Sequence, residues 1–344
     1  MKKELRMSAS RIKVLKSCSF LYWAKYVLKL FDTTNEGAQR GTAIHTIFEC
    51  LMKSRHKHHF KDIIKKGSIR GSRAVSRYIE IYIRKLGMSD GTFEKIDGMI
   101  MQGLNNDFFC KGGKVVGVEL EFDIKSEEPK YNLMGYIDRI VHYDNKFSRI
   151  QDWKSSSKPF TEEELKTSIQ AMCYALSEKK KNPALKPIVD FMMLLHASQY
   201  VQRASFTDSQ LLSFEMELAE YYEKMVNFSE KDAKANMAAR QPYPPAGGGF
   251  CGPIMCGRAK YPGQLKKDGT VMWACSFRFP RDYFALCDED GSVLRTAATK
   301  EELKANSDKG EFVIKKRYSG CPAHARQNNE NEAQKTAEAQ TEAN

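Results

Sequence analysis

The feature of the sequence that most constrains the fold is a group of strand-like segments in the middle of the chain. Apolar and polar residues alternate strictly over residues 116–124, which is the pattern of a strand with one buried face. Residues 131–143 and 147–154 are also strand-like, and only short turns separate the three segments. Three consecutive strands with tight connections predict an antiparallel meander.

A helix and another strand follow the predicted meander. Thr161 lies three residues before Glu164, the spacing of a capping box, so we expect a helix to begin there. Its apolar stripe is formed by Leu165, Ile169, Met172 and Leu176. Residues 188–196 are a continuous apolar run, which predicts a buried strand. Residues 8–30 and 41–52 have helical patterns, so the order is helix, three strands, helix, strand.

The last third of the chain has a different composition. We expect residues 209–238 to form one long helix, which the Pro- and Gly-rich segment 241–249 ends. Five of the nine cysteines follow this segment. We therefore predict a core with N-terminal helices over residues 1–240, a cysteine-containing region over residues 241–326 that packs back on the core, and a disordered tail over residues 327–344.

Composition excludes several classes of protein. With 344 residues, of which 42% are apolar, the chain can bury a sizeable core, which excludes wholesale disorder. No apolar run approaches the roughly 18 residues that a membrane-spanning helix needs. The first residues lack the apolar stretch of a secretory signal, so we expect a protein of the reducing cytoplasm. The cysteines are then expected to be thiols or metal ligands rather than disulfides.

The net charge of the chain is +12, which favours a polyanionic partner, nucleic acid first. The basic excess is most visible over residues 53–73, where eight Lys or Arg and three His accompany a single acidic residue, Asp62. A solvated helix or loop is one interpretation, and a basic nucleic-acid-facing element is the other. The candidate nucleic-acid-binding residues are Lys53, Arg55, Lys57, Lys61, Lys65 and Lys66.

Two carboxylates and a lysine are expected to converge at one end of the predicted sheet. Asp152 and Lys154 point to the same face of their strand because side chains alternate along a strand. Asp138, in the neighbouring strand, lies across from Asp152 if the short turn at residues 144–146 sets the register. Carboxylates are the usual protein ligands of Mg²⁺, and a lysine beside the metal can assist an attacking water. The alternative is an ordinary Asp–Lys pair on a solvent-facing strand.

Five short motifs occur in an order that resembles a known family. They are the opening segment from Ser8 with Cys18, Tyr22 and Tyr26, Gly41-Thr-Ala-Ile-His45, Gly135-Tyr-Ile-Asp138-Arg139, Asp152-Trp-Lys154 and Gln170-Ala-Met-Cys-Tyr174. Over about residues 8–200 the chain resembles the PD-(D/E)xK nuclease superfamily. The similarity is to its RecB-like branch, which includes the Cas4 and AddB nuclease domains.

The resemblance implies an α/β fold, namely a restriction-endonuclease-like core with a central mixed sheet flanked by helices and a cysteine-bearing C-terminal extension. It implies a DNA nuclease in which His45, Asp138 and Asp152 hold Mg²⁺ or Mn²⁺ and Lys154 assists the nucleophile. Gln170 and Tyr174 complete the catalytic set, in contact with the DNA backbone or with the lysine. Exonuclease action on single strands or DNA ends is usual in this branch, in recombination, repair, replication or CRISPR adaptation.

Simpler interpretations of these residues stay open. His45 is equally explained as a buried, hydrogen-bonded histidine, and Glu49, on the same helical face, as a residue that orients its ring or reaches the metal through water. A solvated helix face would account for Gln170 and Tyr174. Glu119 and Glu121 share one side of their strand by alternation, and Glu121 is either a support for the metal site or a solvent-facing residue.

The cysteines suggest a second metal centre. Members of the resembled branch hold a 4Fe–4S cluster with one cysteine from the opening helix and three near the C-terminus. The candidates here, four of five, are Cys18, Cys251, Cys256, Cys275 and Cys321. A zinc ion, with His324 as a further candidate ligand, and unligated thiols are the alternatives. Cys50, Cys110 and Cys173 are interpreted as ordinary buried residues, and Cys287 is left undecided.

Partners follow from what the chain contains. No helicase P-loop sequence occurs in it, so any unwinding is expected from a helicase or from a replication or recombination partner. A nuclease of this size is typical of phage or CRISPR-adaptation settings, which would place it in a host cytoplasm. Two functions of other classes remain as alternatives: a catalytically silent nucleic-acid-binding subunit and a zinc-stabilised adaptor.

Overall fold

The chain divides into two compact units. The computed structural model describes residues 4–32, 36–144, 146–243, 252–331 and 333. Unit 1 comprises Met1–Ala9 and Thr34–Val226, and unit 2 comprises Ser10–Thr33 and Asn227–Asn344. The boundaries of these units differ from those of the domains predicted over residues 1–240 and 241–326. The predicted domains stay predictions.

Unit 1 contains a sheet of five strands. The strands are β1 (Lys114–Glu127), β2 (Lys130–Tyr143), β3 (Phe147–Lys154), β4 (Lys186–Met193) and β5 (Val201–Ala204). They lie in the order β1-β2-β3-β4-β5. All neighbours are antiparallel except β3 and β4, which are parallel, so the sheet is mixed. The predicted meander and the predicted mixed α/β sheet are both confirmed.

Ten α-helices, in addition to the helical residues 325–331, accompany the strands in the described residues. They are α1 (Ala9–Ser17), α2 (Ser19–Tyr22), α3 (Glu36–Met52), α4 (Lys57–Lys66), α5 (Arg73–Leu86), α6 (Thr92–Leu104), α7 (Glu162–Lys166), α8 (Ile169–Lys181), α9 (Asp208–Val226) and α10 (Glu230–Ala235). Helices α3 to α9 belong to unit 1. None of the described helices is long and apolar enough to cross a membrane.

The core of unit 1 forms where α3 and its neighbours pack on the sheet around Trp153. The Trp153 side chain is fully buried, and its ring lies 4.8 Å from that of Phe48. Ile44, Ile47 and Leu51 of α3 are buried in the same cluster. Each such side chain contributes about 1.5–3 kcal/mol of hydrophobic stabilisation. Because this face of α3 is held against the core, the position of His45 over the sheet is fixed.

Three predicted helices are interrupted, which corrects the sequence analysis. The capping box of Thr161 and Glu164 is present, but α7 ends at Lys166 and a second helix begins at Ile169. The long helix predicted over residues 209–238 is likewise divided into α9 and α10. In both cases a serine starts the new helix: Ser168 accepts a hydrogen bond from the Ala171 N–H, and Ser229 does so from the Asp232 N–H.

The predicted opening helix breaks at Cys18. This residue has an extended backbone with φ −159° and ψ 110°, so it separates α1 from α2. A π-helical turn, Trp23–Val27, then continues the chain. The break places the Cys18 side chain in the apolar core of unit 2.

Unit 2 contains a second, smaller sheet. Its strands are β6 (Arg281–Cys287), β7 (Val293–Ala297) and β8 (Phe312–Tyr318), antiparallel in the order β7-β6-β8. Residues 325–331 are helical. The tail predicted to be disordered from residue 327 therefore begins with helical residues in the structure. Apart from Ala333 the rest of it lies outside the described residues, and its disorder stays a prediction.

Candidate active site

Asp138 and Asp152 lie opposite each other on neighbouring strands. The β2–β3 ladder pairs Arg139 with Gln151, and one further step of the same register brings Asp138 opposite Asp152. Both side chains are buried, with 6% and 2% of their surface exposed. The Trp153 N–H donates a hydrogen bond of 2.8 Å to Asp138 Oδ2. Directly opposed residues share one face of a sheet, so the two carboxylates meet as the sequence predicts.

His45 reaches this carboxylate pair from α3. Its Nδ1 lies 3.2 Å from Asp138 Oδ1, and its Nε2 lies 3.0 Å from the carbonyl oxygen of Trp153. Burial by itself lowers the pKa of the imidazole, but the hydrogen bond and charge of Asp138 outweigh burial and raise the pKa of His45 to about 9. The metal-free ring is therefore protonated at neutral pH, and both of its N–H groups donate.

Glu119 completes a compact set of ligand atoms that the sequence analysis did not assign to the metal. Glu119 has a positive φ of 49° and lies between Val118 and Leu120, which pair with Arg139 and Ile137, so it faces Asp138. Ligand atoms of His45, Glu119 and Asp138 all lie within 4.8 Å of one another. Burial and the charge of Asp138 raise the pKa of Glu119 to about 7.

Glu121, considered at the sequence level as a support for the metal, lies elsewhere. Its carboxylate pairs with Arg6 at 3.1 Å and is half-exposed, so the solvent-facing interpretation is the correct one. Glu49 also differs from expectation, because its carboxylate pairs with Lys53 rather than with the His45 ring. Strict alternation predicts that Glu119 and Glu121 behave alike, and the left-handed residue in β1 is what separates them.

The three clustered groups fit a hard divalent cation. One imidazole nitrogen and two carboxylates form a donor set that suits Mg²⁺ and, because of the nitrogen, Mn²⁺ as well. Within the described part of the chain this is the one group of three or more such ligands with this spacing. Of the predicted ligands, His45 and Asp138 belong to the set, and Asp152 lies beside it.

Asp152 holds a second network that involves the predicted lysine. Lys154 Nζ lies 2.5 Å from Asp152 Oδ2 and donates to Gln170 Oε1 at 3.0 Å. Gln170 Nε2 and the Tyr174 hydroxyl donate to Asp152 Oδ1 at 2.9 and 3.0 Å. The structure thus brings Asp152, Lys154, Gln170 and Tyr174 together, so the polar face of α8 is turned to the carboxylate and not to solvent.

The electrostatics of this network are those of a buried acid beside a cation. Burial raises the pKa of Asp152, the Lys154 ammonium opposes that effect, and the charge of Asp138 adds to it. Burial and the charges of Asp152 and Asp138 also raise the pKa of Tyr174 well above its usual value. Tyr174 therefore acts as a hydrogen-bond donor to Asp152 over the whole physiological pH range.

The predicted basic residues lie on a surface of unit 1. They occupy the C-terminal end of α3, the turn Ser54–His56 and helix α4. All six of them are exposed: Lys53, Arg55, Lys57, Lys61, Lys65 and Lys66. Ile63 is the buried anchor of α4, so the helix turns its cations to solvent. Their role in nucleic-acid binding stays a prediction.

Four of the five candidate metal-binding cysteines lie around one cavity in unit 2. Cys18, Cys256, Cys275 and Cys321 line it together with His324. Burial and the neighbouring thiols raise the pKa of Cys275 to about 12 and that of Cys321 to about 11. Cys251 lies outside the described residues.

The cysteines at the cavity do not form a compact set of three. Among the described residues, no three thiol sulfurs or imidazole nitrogens lie within 4.8 Å of one another. Cys287 lies in β6 and is buried, as are Cys110 and Cys173. Cys50, predicted to be buried, is half-buried.

The solved structures that the chain resembles include two at low sequence identity and low TM-score. A crystal structure titled "Putative exonuclease" from Eubacterium rectale is 9% identical, with a TM-score of 0.42, over 70% of this chain and 91% of that one. A structure of a protein named SSO0001 is 14% identical, with a TM-score of 0.22, over 61% and 85% of the two chains. At these scores neither likeness bears on the assignment. No curated protein sequence matches the chain significantly.

A family profile gives a clear result. Residues 6–256 match the PD-(D/E)XK nuclease superfamily. The matched segment is most of the chain, and it includes His45, Glu119 and Asp138 as well as the network of Asp152 and Lys154. The protein therefore belongs to the PD-(D/E)XK nuclease superfamily.

Proposed function

We propose that the protein is a metal-dependent deoxyribonuclease, and that it acts as an exonuclease on single strands or DNA ends. Membership of a nuclease superfamily implies a nucleic-acid substrate. The observation that carries the proposal is the juxtaposition of the His45–Glu119–Asp138 cluster with Asp152 and Lys154. A cation site beside a buried carboxylate and an ammonium group is what hydrolysis of a phosphodiester by an activated water requires.

The roles of the residues follow from their contacts. His45, Glu119 and Asp138 would hold Mg²⁺ or Mn²⁺, with Asp152 next to them; the bound cation supplies Lewis acidity and offsets the charge of the phosphate. Lys154 is held by Asp152 and Gln170, so its ammonium is fixed where it can orient the water and stabilise negative charge on the phosphate. Gln170 and Tyr174 position Asp152 through its Oδ1.

The finer choice of substrate is supported by charge and by the resemblance in the motifs. The net charge of +12 and the exposed basic residues of α4 favour a polyanion. DNA, and exonuclease rather than endonuclease action, follow from the similarity of the five motifs to the RecB-like branch. A helicase or recombination partner, and a phage or CRISPR-adaptation setting, stay predictions from the same source.

We also propose that unit 2 holds a 4Fe–4S cluster on Cys18, Cys256, Cys275 and Cys321. The support is that one cavity gathers the four thiols, one from the N-terminal segment and three from the C-terminal part of the chain, as the resembled branch has them. A buried His324 Nε2 without a hydrogen-bond partner also lies at this cavity and offers a further nitrogen donor. Thiolate sets of this kind suit iron–sulfur clusters.

Two alternative functions are less well supported. A catalytically silent subunit would not need Lys154, Gln170 and Tyr174 gathered around Asp152, and each such buried polar network costs stability unless every member is satisfied. A zinc-stabilised adaptor would not need this network either.

Degradation of end-labelled single-stranded and duplex DNA in Mg²⁺ or Mn²⁺ tests the nuclease proposal. The wild type should release nucleotides from ends, and Asp152→Ala should not. Asp123→Ala is a matched control, because Asp123 lies on β1, is half-exposed and pairs with Arg6. If the metal-loaded wild type leaves every DNA form intact, the proposed function is wrong.

A further inference from the structure

A cavity lies in unit 1 between α3, α4 and α5. Its volume is about 170 Å³, and it is open to solvent on one side. Thr46 and Cys50 of α3 form one wall, His56 and His59 a second, and Ala74 and Tyr78 of α5 a third. A cavity of about 150 Å³ can take a ring the size of benzene, so this one can hold a single planar ring system.

The walls of the cavity are suited to a flat, aromatic ligand. The His59 ring is fixed by a 2.9 Å contact of its Nδ1 with Ser72 Oγ, and the His56 ring lies nearly parallel to it, 5.9 Å away. On the other side the Tyr78 ring is 39% exposed and stacks on Tyr82 at 6.1 Å. Aromatic side chains that are held in place and still exposed are the usual stacking platforms for nucleobases.

Four basic residues are sequence neighbours of the residues that line the cavity. Arg55 and Lys57 flank His56, and Arg73 and Arg77 directly precede Ala74 and Tyr78. All four are exposed, none has an ion pair with a carboxylate of the described residues, and Lys57 lies over the Phe109 ring at 5.5 Å. Exposed cations close to an apolar cavity complement a ligand with a flat ring and a phosphate on each side, and they do not match an apolar peptide side chain.

The cavity and the metal site lie on different faces of helix α3. His45 faces Asp138, whereas Thr46 and Cys50 line the cavity. At 3.6 residues per turn these two residues lie about 100° and about 140° around the helix axis from His45. A strand that reaches both sites would therefore pass around this helix.

We propose that this α3–α5 cavity binds one unpaired nucleobase of a DNA substrate. The proposal rests on the proposed nuclease function and specifies its substrate: only a single-stranded or frayed end can place a base in the cavity. A base inside a duplex is stacked and paired and cannot enter. The cavity thus selects unpaired ends by the shape and stacking of a base, whereas the surrounding cations bind any phosphate chain.

Equilibrium binding of two fluorescent strands tests the proposal. One is an oligothymidylate and the other is an abasic strand of equal length, and both are measured with the full-length protein in EDTA so that no cleavage occurs. Wild type should bind the strand with bases more tightly. Tyr78→Ala, which removes a stacking surface, and Ala74→Trp, which fills the cavity from an exposed position, should each weaken that binding about tenfold and leave abasic binding unchanged.

Ile81→Ala is the matched control, since Ile81 is exposed on α5 one turn beyond Tyr78 and does not line the cavity. It should change neither affinity. Equal wild-type affinity for the two strands, or equal weakening of both by Tyr78→Ala and Ala74→Trp, would overturn the proposal. Metal-dependent cleavage is measured on the same preparations. If the protein prefers the strand with bases but cuts no DNA, the proposed nuclease function is wrong and the proposed base-binding role of the cavity stands.

Discussion

Glu119 faces Asp138 across the β1–β2 ladder at the one point in β1 where the backbone is left-handed, with a φ of 49°. A glutamate rarely adopts this conformation, which costs of order 1 kcal/mol or more. The conformation brings the Glu119 carboxylate into the same cluster as His45 and Asp138. The strained residue of β1 is therefore also one of the ligands that we propose for the metal.

Glu119→Gln should weaken metal binding, because it replaces a charged ligand by a neutral amide of the same shape. We expect the affinity for Mn²⁺, measured by titration calorimetry, to fall at least tenfold. Glu121→Gln, two residues along β1 in an exposed ion pair, should leave it unchanged. Equal Mn²⁺ affinities for the wild type and Glu119→Gln would remove Glu119 from the ligand set.

Metal affinity should increase with pH. The pKa values of His45 and Glu119 are raised to about 9 and about 7, so both groups carry protons at low pH and must release them to become ligands. The apparent affinity for Mn²⁺ should rise between about pH 6 and pH 9, with proton release visible as a buffer-dependent enthalpy. A pH-independent affinity with no proton release would contradict this prediction.

Lys154→Met should slow cleavage strongly without removing the metal. The Lys154 ammonium is held between Asp152 and Gln170, and a fixed charge beside the reacting phosphate is worth about 10²–10³ in rate. We expect a loss of that order in kcat, with Mn²⁺ affinity within a few fold of wild type. Lys158→Met, in the exposed segment after β3, serves as the control. A Lys154→Met enzyme that cuts at the wild-type rate would rule out this role.

Stability at the start of α3 should depend on pH through Glu36. Hydrogen bonds from Thr92 and Ser89 lower the pKa of Glu36 to about 2, against a smaller opposing effect of burial. A lowered folded-state pKa stabilises the protein above the unfolded pKa of about 4.3, and that stability is lost as pH falls towards the folded pKa.

The measurement for Glu36 is the melting temperature of Glu36→Gln against wild type. We expect a decrease of a few degrees at pH 7 that shrinks as the pH falls below about 4.5. Glu80→Gln, an exposed residue of α5, should show no such difference at any pH. A Glu36→Gln deficit that stays constant down to pH 3 would show that the carboxylate charge is not its source.

Much of the active site could be predicted from the sequence because it depends on short-range rules. Alternation puts Asp152 and Lys154 on one face, and the short turn after Tyr143 is enough to set Asp138 opposite Asp152. The role of Glu119 could not be predicted in this way, because a left-handed residue inside a strand leaves no mark on the apolar pattern. Only the register against Asp138 identifies it.

The errors in the helices have a different physical origin. A periodic apolar pattern over residues 209–238 predicts one helix, but Ser229 offers its side chain to the Asp232 N–H and starts a new one. Ser168 does the same before α8. A new N-cap and continuation of the helix differ by only about 1 kcal/mol in free energy, so tertiary packing decides which of them forms. The break at Cys18 likewise depends on packing that lies far away in the sequence.

Cys275→Ser should remove the metal from unit 2. Cys275 lies at the cavity with Cys18, Cys256 and Cys321, and burial keeps its thiol protonated unless a metal replaces the proton. We expect anaerobically purified wild type to be brown, with iron and sulfide in equal amounts, and the variant to be colourless and less stable to heat. Cys50 is a half-buried cysteine of α3 that does not line the cavity in unit 2, so the Cys50→Ser variant should retain the iron of the wild type. If the wild type is colourless and contains stoichiometric zinc, the site binds zinc and the cluster proposal is wrong. If the wild type contains neither metal, the four thiols are unligated.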